Sequence, residues 1–392
     1  MPEAHGTLPR ADSRRILVVA GEASGDRYGA GLMEAVRRAA PGAAFTGIGG
    51  PRMRQAGLET LVEAESIAVL GFFEVVSSLP VIRRAFRRCV AALPGCDLVL
   101  LIDYPGFNLR LAREARRAGV PVIYFISPQV WAWKPGRVKA IAETVHRMLV
   151  IFPFEEEFYR RHGVEVTYVG HPLVEILSRE GPRLPREEAA ALFGADPTRR
   201  IIGLMPGSRL KEVRRNLPPI LGAARLLSAR HGDLQFLLPV ASTLQRGQIL
   251  DLTSGVPVVL AEGSFYEAVR LCEAVVVSSG TATMEVGLLG VPMVIVYRLH
   301  PLTYAVARRM TRLDTFGMVN LVAGRRVVPE LIQSDCTPGR IAMEVEKLLS
   351  DRVLRERTRR ELRGLRDRLQ GEGAFQRAAE VIAACLREPA AR

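Results

Sequence analysis

Cysteine, histidine and tryptophan are scarce in this chain, and those present are poorly placed for redox or metal chemistry. The five cysteines (Cys89, Cys96, Cys272, Cys336 and Cys385) are scattered, with no CxxC pair and no metal-ligand spacing. An odd, dispersed set of this kind reads as the reduced packing cysteines of a cytosolic protein. The six histidines stand apart from one another along the chain, so no metal is expected. No uninterrupted apolar run approaches the roughly 20 residues of a spanning helix. The stretch from Met1 to Arg15 carries charges but lacks the apolar core of a signal peptide. Aromatic residues make up only 6%, and no nucleic-acid motif is present, so nucleic acid is not an expected partner. Acids are in deficit, 41 against 54 Lys and Arg, for a formal charge of +13. That balance fits an anionic membrane surface or anionic substrates. It equally fits arginines on solvated helices, such as Arg357, Arg359, Arg360, Arg363, Arg366 and Arg368.

What is present is aliphatic: 48% of the 392 residues are hydrophobic, enough for about two domains with buried parallel strands. Short apolar runs close on turn residues at 16–20, 45–48, 98–102, 120–125 and 148–152, alternating with arginine-rich helical segments. A second series follows at 201–205, 236–239, 256–260, 274–277 and 292–297. Strand–helix alternation of this kind gives an α/β fold of two doubly wound parallel-sheet domains. The expected division is an extension over 1–13, a first domain over 14–178 and a charged, proline-punctuated linker over 179–198. A second domain over 199–370 and a last helix over 371–392, returning to the first domain, complete it.

The chain is organised around Gly203-Leu204-Met205-Pro206-Gly207-Ser208-Arg209, an apolar strand, a sharp turn and a helix start. A helix N-terminus offers free backbone N–H groups and the positive end of its dipole to an anion. Arg209 adds a forked, permanently charged donor suited to phosphate. The device recurs after the strand 274–277 as Ser278-Ser279-Gly280-Thr281. Two such loops in one domain point to a diphosphate flanked by hydroxyls. Glu285 lies one helical turn beyond Thr281, where a carboxylate can accept from both hydroxyls of a ribose. Asn320, Arg325, Glu330 and Gln333 form a polar set expected to line the site.

In the first half, ligands should gather at the carboxyl ends of the strands. Asp103 sits there, as a general base or as a cap for the Pro105-Gly106 turn. Glu22 and Asp26 follow the first strand. Asp26 reads as a dipole-favoured helix residue and Glu22 as the better site candidate. The loop Ser127-Pro128-Gln129-Val130-Trp131-Ala132-Trp133 holds both tryptophans, for stacking on a sugar or acyl chain or for plugging the junction. His171 reads as structural. The segment 67–93 crowds Val69, Leu70, Phe72 and Phe73 together, then sets Ile82, Phe86, Cys89 and Val90 opposite Arg83, Arg84, Arg87 and Arg88. That pattern is an interfacial helix on anionic lipid or a helix covering the sheet with its arginines in water.

Taken in order, Ala20-Gly21-Glu22-Ala23-Ser24-Gly25-Asp26, Gly47-Ile48-Gly49-Gly50-Pro51-Arg52-Met53 and Ile102-Asp103-Tyr104-Pro105-Gly106-Phe107-Asn108 resemble the lipid A disaccharide synthase family. So do Ser127 to Trp133, Pro206-Gly207-Ser208-Arg209, Ser279-Gly280-Thr281-Ala282-Thr283 and Asn320-Leu321-Val322-Ala323-Gly324-Arg325. The resemblance implies a GT-B architecture, two Rossmann-like domains facing a cleft, and an inverting hexosyltransferase. Its implied reaction moves 2,3-diacylglucosamine from UDP-2,3-diacylglucosamine to 2,3-diacylglucosamine 1-phosphate (lipid X), giving the β-1,6 disaccharide and UDP. The nucleotide-sugar would meet Gly207, Ser208, Arg209, Ser279, Gly280, Thr281, Glu285, Asn320, Arg325 and Gln333. The acceptor would meet Ser24, Gly25 and Trp131, with Asp103 as base and Glu22 as its rival or a positioning acid. No metal or cofactor is implied. Because both substrates carry acyl chains, the segment holding Val69, Leu70, Phe72, Phe73, Arg83, Arg84, Arg87 and Arg88 becomes a membrane-docking candidate. The expected location is peripheral, on the cytoplasmic face of the inner membrane, with a homodimer left open. The rival readings are another UDP-sugar enzyme of the same fold (a lipid II-type N-acetylglucosaminyltransferase or a UDP-N-acetylglucosamine 2-epimerase) and a non-catalytic nucleotide-sugar binding protein.

Overall fold

The computed structural model describes residues 14–67, 72–133, 136–299, 304 and 315–388; the side chains of 67, 72–78, 132 and 133 lie outside that description. The chain divides into two compact units, Met1–Pro172 with Gly371–Arg392, and Leu173–Gln370. The domain boundary expected at 178/179 therefore lies at 172/173.

The first unit is a seven-stranded, wholly parallel sheet. Its strands are β1 (Arg14–Ala20), β2 (Ala43–Gly49), β3 (Glu59–Glu63), β4 (Leu98–Ile102), β5 (Val122–Phe125), β6 (Arg147–Val150) and β7 (Val166–Tyr168). They lie in the order β3-β2-β1-β4-β5-β6-β7. Central β1 and β4 run in register from Ile16 beside Leu98 to Ala20 beside Ile102, and all ten of these residues are fully buried. Burial on both faces explains why these strands read as unbroken apolar runs rather than alternating ones. The last helix, Ala374–Arg387, packs on the helix Ala23–Ala39, with the buried Phe375 ring against Gly31. Arg377 Nε donates to the Val169 carbonyl at 2.9 Å, and His146 lies 3.6 Å from the Glu388 carboxylate.

The second unit repeats the design with six parallel strands: β8 (Arg200–Met205), β9 (Leu234–Pro239), β10 (Val258–Ala261), β11 (Ala274–Ser278), β12 (Met293–Tyr297) and β13 (Glu330–Ile332). Their order is β10-β9-β8-β11-β12-β13. In both sheets the strand order reverses between the first strand and the fourth, β1 and β4 in one, β8 and β11 in the other. Such a switch point opens a crevice at the strands' carboxyl ends.

The expected linker 179–198 is not a linker. It carries the helix Arg186–Phe193, with Ala189 and Ala190 buried. It is also fastened to the second unit: the backbone N–H groups of Arg183 and Leu184 donate to the Glu267 carboxylate at 2.6 and 3.0 Å, and Arg186 Nη1 donates to the Leu271 carbonyl at 3.0 Å. Charge and proline marked a surface segment of the second unit here.

Candidate active site

The switch point of the first unit assembles Glu22 and Asp103. β1 ends at Ala20, and Gly21 leaves room for a ring: a Cβ on it would sit 2.6 Å from the aromatic atoms of Tyr104. Glu22 follows, exposed, at the N-cap of the helix Ala23–Ala39. Ser24 and Gly25 occupy that helix's first turn. Asp26 proves to be structural. Buried at 5% exposure, its carboxylate accepts from the N–H groups of Gly50, Arg52 and Met53 at 2.7, 3.0 and 3.0 Å. It thereby caps the helix Pro51–Gln55, which accounts for the Gly49-Gly50-Pro51-Arg52-Met53 motif.

Asp103 leaves β4 in a left-handed conformation (φ 45°), as does Tyr104 after it (φ 48°). Consecutive non-glycine residues in that region cost about 1–3 kcal/mol each unless the surroundings over-determine them. Here they do. The Asp103 N–H donates to the Phe125 carbonyl at 3.1 Å, and its own carbonyl accepts from Asn108 Nδ2 at 2.7 Å and from the buried Tyr124 hydroxyl at 2.5 Å. The clamp fixes where the carboxylate points. Burial first, and the Glu22 charge second, push the Asp103 carboxyl up to about 7, against a smaller lowering from the Tyr104 N–H. A carboxylate of that basicity is poised to take a proton near neutral pH.

Beside it, the ends of β5 and β6 hold a network that the residue pattern alone did not single out. Glu155, 1% exposed, accepts from Ser127 Oγ at 2.8 Å, from Trp131 Nε1 at 3.2 Å and from the Phe152 N–H at 3.1 Å. The Tyr159 hydroxyl donates to Ser127 Oγ at 3.0 Å. Burial pushes the Glu155 carboxyl up to about 7 despite these donors. Trp131 is thus held by its indole N–H, with its ring edge-on to Phe154. The signal for Glu155 was Phe152-Pro153-Phe154-Glu155, a proline opening a helix and an acid two residues on. His171 is structural as expected: buried between the rings of Tyr28 and Phe152, its pKa falls to about 3.

The histidines are less isolated than their spacing implied. His146, Cys385 and Glu388 bring their ligand atoms within 4.8 Å of one another, with His146 and Glu388 exposed. His146 directly precedes β6, so this group lies at the opposite end of the sheet from Asp103.

In the second unit, the loops after β8 and β11 stand side by side at the other switch point. Gly207 adopts φ 132°, and a Cβ there would meet the Glu212 side chain at 2.8 Å, so only glycine fits this turn. Thr243 Oγ1 donates to the Ser208 carbonyl at 2.5 Å, and Arg209 is the N-cap of the helix Leu210–Arg230. The Arg209 side chain, 39% exposed, lies 3.9 Å from the Glu212 carboxylate. Across from it, exposed Gly280 and Thr281 open the helix Thr281–Leu288, with Ser279 just before. Glu285 on that helix accepts from the Tyr266 hydroxyl at 3.0 Å.

Three of the expected ligand contacts have side chains that are bonded within the protein. The Asn320 amide, 1% exposed, donates to the Val328 carbonyl and the Glu330 carboxylate and accepts from the Val327 and Val328 N–H groups, all at 2.7–3.0 Å. Arg325 forms an ion pair with Glu361. Gln333 bonds both backbone groups of Leu299, at 2.7 and 3.2 Å, and so holds the segment that follows β12. These bonds tie down the loops near the strand ends. The proposed lipid face changes too. In the helix Phe72–Ala92, Ala85 and Cys89 are buried, and Ile82, Phe86 and Val90 pack on the sheet's core. That apolar face is therefore closed to lipid, while Arg83, Arg84, Arg87 and Arg88 are exposed. Val69 and Leu70, and the side chains of Phe72 and Phe73, lie outside the described residues. Among the described residues, no helix is long and apolar enough to cross a membrane.

Solved structures with this fold include a putative UDP-N-acetylglucosamine 2-epimerase from Listeria monocytogenes (12% identity, TM-score 0.63, 96% of this chain and 98% of that one). Another is the calicheamicin glycosyltransferase CalG4 (17% identity, TM-score 0.59, 95% and 98%). At such identities the likeness is one of fold, a GT-B-type pair of Rossmann-like sheets. Sequence relatives are far closer. The chain is 50% identical over 375 residues to a lipid-A-disaccharide synthase of Geobacter sulfurreducens, covering 94% of this chain and 97% of the relative. It is 44% identical over 380 residues to one from Anaeromyxobacter dehalogenans strain 2CP-1 (95% and 98%). The family model described as lipid-A-disaccharide synthetase matches residues 16–384. The chain therefore belongs to the lipid-A-disaccharide synthetase family of glycosyltransferases.

Proposed function

We propose that the protein transfers 2,3-diacylglucosamine from its UDP derivative to the 6-hydroxyl of 2,3-diacylglucosamine 1-phosphate. The observation that carries this reading is Asp103, a clamped carboxylate at a switch point with its pKa pushed up to about 7. Asp103 takes the hydroxyl proton as the oxygen attacks the anomeric carbon. The bond from that carbon to the UDP oxygen breaks from the opposite face, so the configuration inverts and the products are a β-1,6 disaccharide phosphate and UDP. Charge builds on the departing diphosphate, where Arg209 and the starts of the helices Leu210–Arg230 and Thr281–Leu288 offer stabilisation. Glu285 would hold the ribose, while Glu22 orients the acceptor. The site needs no metal on this reading.

Mass spectrometry of a reaction with both lipid substrates, run in EDTA, tests it. The expected products are a tetra-acylated disaccharide phosphate and UDP in equal amounts, at a rate that EDTA leaves unchanged. Epimerised donor without disaccharide would assign the protein to the epimerase reading. Absence of turnover, even with magnesium restored, would leave a nucleotide-sugar binding protein.

Both substrates are lipids, so the enzyme must work at a bilayer surface. Exposed Arg83, Arg84 and Arg87 supply the charge for docking on anionic lipid, next to exposed Leu79 and Val81. Each juxtamembrane arginine contributes about 1 kcal/mol, so replacing these three by alanine should weaken binding to phosphatidylglycerol vesicles roughly 100-fold. Arg88 is left in place because its guanidinium also donates to the Leu61 carbonyl at 2.9 Å. Cosedimentation measures the effect, and equal binding by variant and parent would refute the docking surface.

A further inference from the structure

Beneath the two loops of the second unit lies one side chain that touches the ends of three strands. Asn216, on the helix Leu210–Arg230, is 0% exposed. Its Nδ2 donates to the Pro206 carbonyl at 3.0 Å and to Ser278 Oγ at 3.0 Å. Its Oδ1 accepts from the Arg298 N–H at 3.1 Å. Two oxygens face one end of the amide and an N–H faces the other, so the orientation of the group is determined by its partners. Pro206 ends the segment that leads into Gly207-Ser208-Arg209, Ser278 closes β11 before Ser279-Gly280-Thr281, and Arg298 follows β12. Neighbouring strands β8, β11 and β12 are thus joined at their carboxyl ends by a single planar group.

We propose that Asn216 is a positioning residue for the nucleotide site: its amide sets the spacing between the Arg209 loop and the Thr281 loop, and through them the fit to a nucleoside diphosphate. The proposal rests on the reading of these loops as the UDP site. Backbone pairing holds β8 beside β11 only as far as Met205 and Val277, one residue short of both loops. Past that point the Asn216 amide links the two strand ends. Asparagine suits the place because two donors and one acceptor are needed in one rigid plane. Aspartate would set a carboxylate against the Pro206 carbonyl, and leucine would leave three buried polar groups without a partner. Asn216 itself touches no substrate in this account.

Isothermal titration with UDP on the full-length protein tests the proposal, with Asn216→Ala set against Val345→Ala. Val345 is a fully buried core residue of the same unit, on the helix Pro338–Ser350 that packs on the Asn216 helix, so its truncation lowers stability while leaving the three Asn216 bonds in place. Asn216→Ala should weaken UDP binding at least tenfold and raise the KM for the UDP-sugar while leaving the KM for the acceptor within twofold. Val345→Ala should leave UDP affinity within twofold. A folded Asn216→Ala that binds UDP within twofold of the parent would overturn the role. Should Asn216→Ala fail to fold, Ser278→Ala decides, since it removes only one of the three bonds: a loss of threefold or more supports the proposal, and unchanged affinity overturns it. A parent protein that binds no UDP would instead sink the nucleotide reading of the loops, an outcome distinct from failure of Asn216 alone.

Discussion

Asp103→Asn is expected to lower kcat by about 10²–10⁴-fold and, at pH 8, to raise the unfolding temperature. Both effects come from one carboxylate. Asparagine keeps the size of the side chain and tolerates the left-handed backbone at φ 45°, so the clamp through Phe125, Asn108 and Tyr124 survives. What is lost is the base. The sign of the stability change follows from where the proton is bound. An aspartate titrates near 3.9 when unfolded, whereas burial and the Glu22 charge push this one up to about 7 in the folded state. Between those values the folded protein holds a proton that the unfolded chain has lost, so stability falls as pH rises through the window and stays low above it. The neutral amide escapes that penalty. A gap of this size sets an upper bound of about 4 kcal/mol, and the partial exposure of Asp103 reduces it to a rise of a few degrees. At pH 4 the two proteins should melt alike. In the parent, kcat/KM should climb with pH and level off above about 7, as the base loses its proton. Melting curves at pH 4 and 8 and a pH–rate profile check the whole chain of inference. Turnover within tenfold of the parent would remove Asp103 as the base, and parallel melting profiles would show that the carboxylate is not destabilised.

The central strands were legible because burial on both faces leaves no polar residue to interrupt them, as in Leu98–Ile102 and 274–277. The strands that escaped notice, β3, β7 and β13, are all sheet edges. Edge strands cover less core and stay short: Glu59–Glu63 alternates weakly, and Val166–Tyr168 is only partly buried along its length. Of the candidate site, placement at strand ends was legible from chain order alone, for Glu22, Asp103, Arg209, Thr281 and Glu285. Side-chain partners that lie far along the chain were not legible. Asn320 and Gln333 looked like ligand contacts because polar residues beside apolar strands do; only the fold shows that backbone groups at 299, 327 and 328 already use them. Asn216 and Glu155 were passed over for the converse reason, because a helix asparagine or glutamate reads as solvated until its burial is known.

Arg209→Ala should cost about 10²–10³-fold in kcat, the range typical of losing one group that stabilises charge developing in the transition state. The argument turns on when that charge appears. In the bound donor the diphosphate already carries negative charge, and part of the Arg209 interaction only tightens ground-state binding. As the anomeric bond breaks, a further charge moves onto the diphosphate, beside the helix start where Arg209 holds the N-cap position. The guanidinium gains most at that point, so the loss should fall more on kcat than on KM for the donor. Arg209→Lys separates charge from geometry. An ammonium restores the charge but not the planar fork, so lysine should recover no more than about tenfold of the loss. Glu212 sharpens the comparison. Its carboxylate lies 3.9 Å from the guanidinium, within the same first turn of the helix. Glu212→Gln removes an anion from beside the incoming diphosphate and should tighten UDP binding by a few fold, by relieving like-charge repulsion of a few tenths to about 1 kcal/mol. The three variants thus move in different quantities: alanine in kcat, lysine in the part of kcat that depends on shape, and glutamine in UDP affinity. Full activity in Arg209→Lys would reduce the arginine to a point charge. Full activity in Arg209→Ala would leave the helix starts as the sole support for the leaving diphosphate.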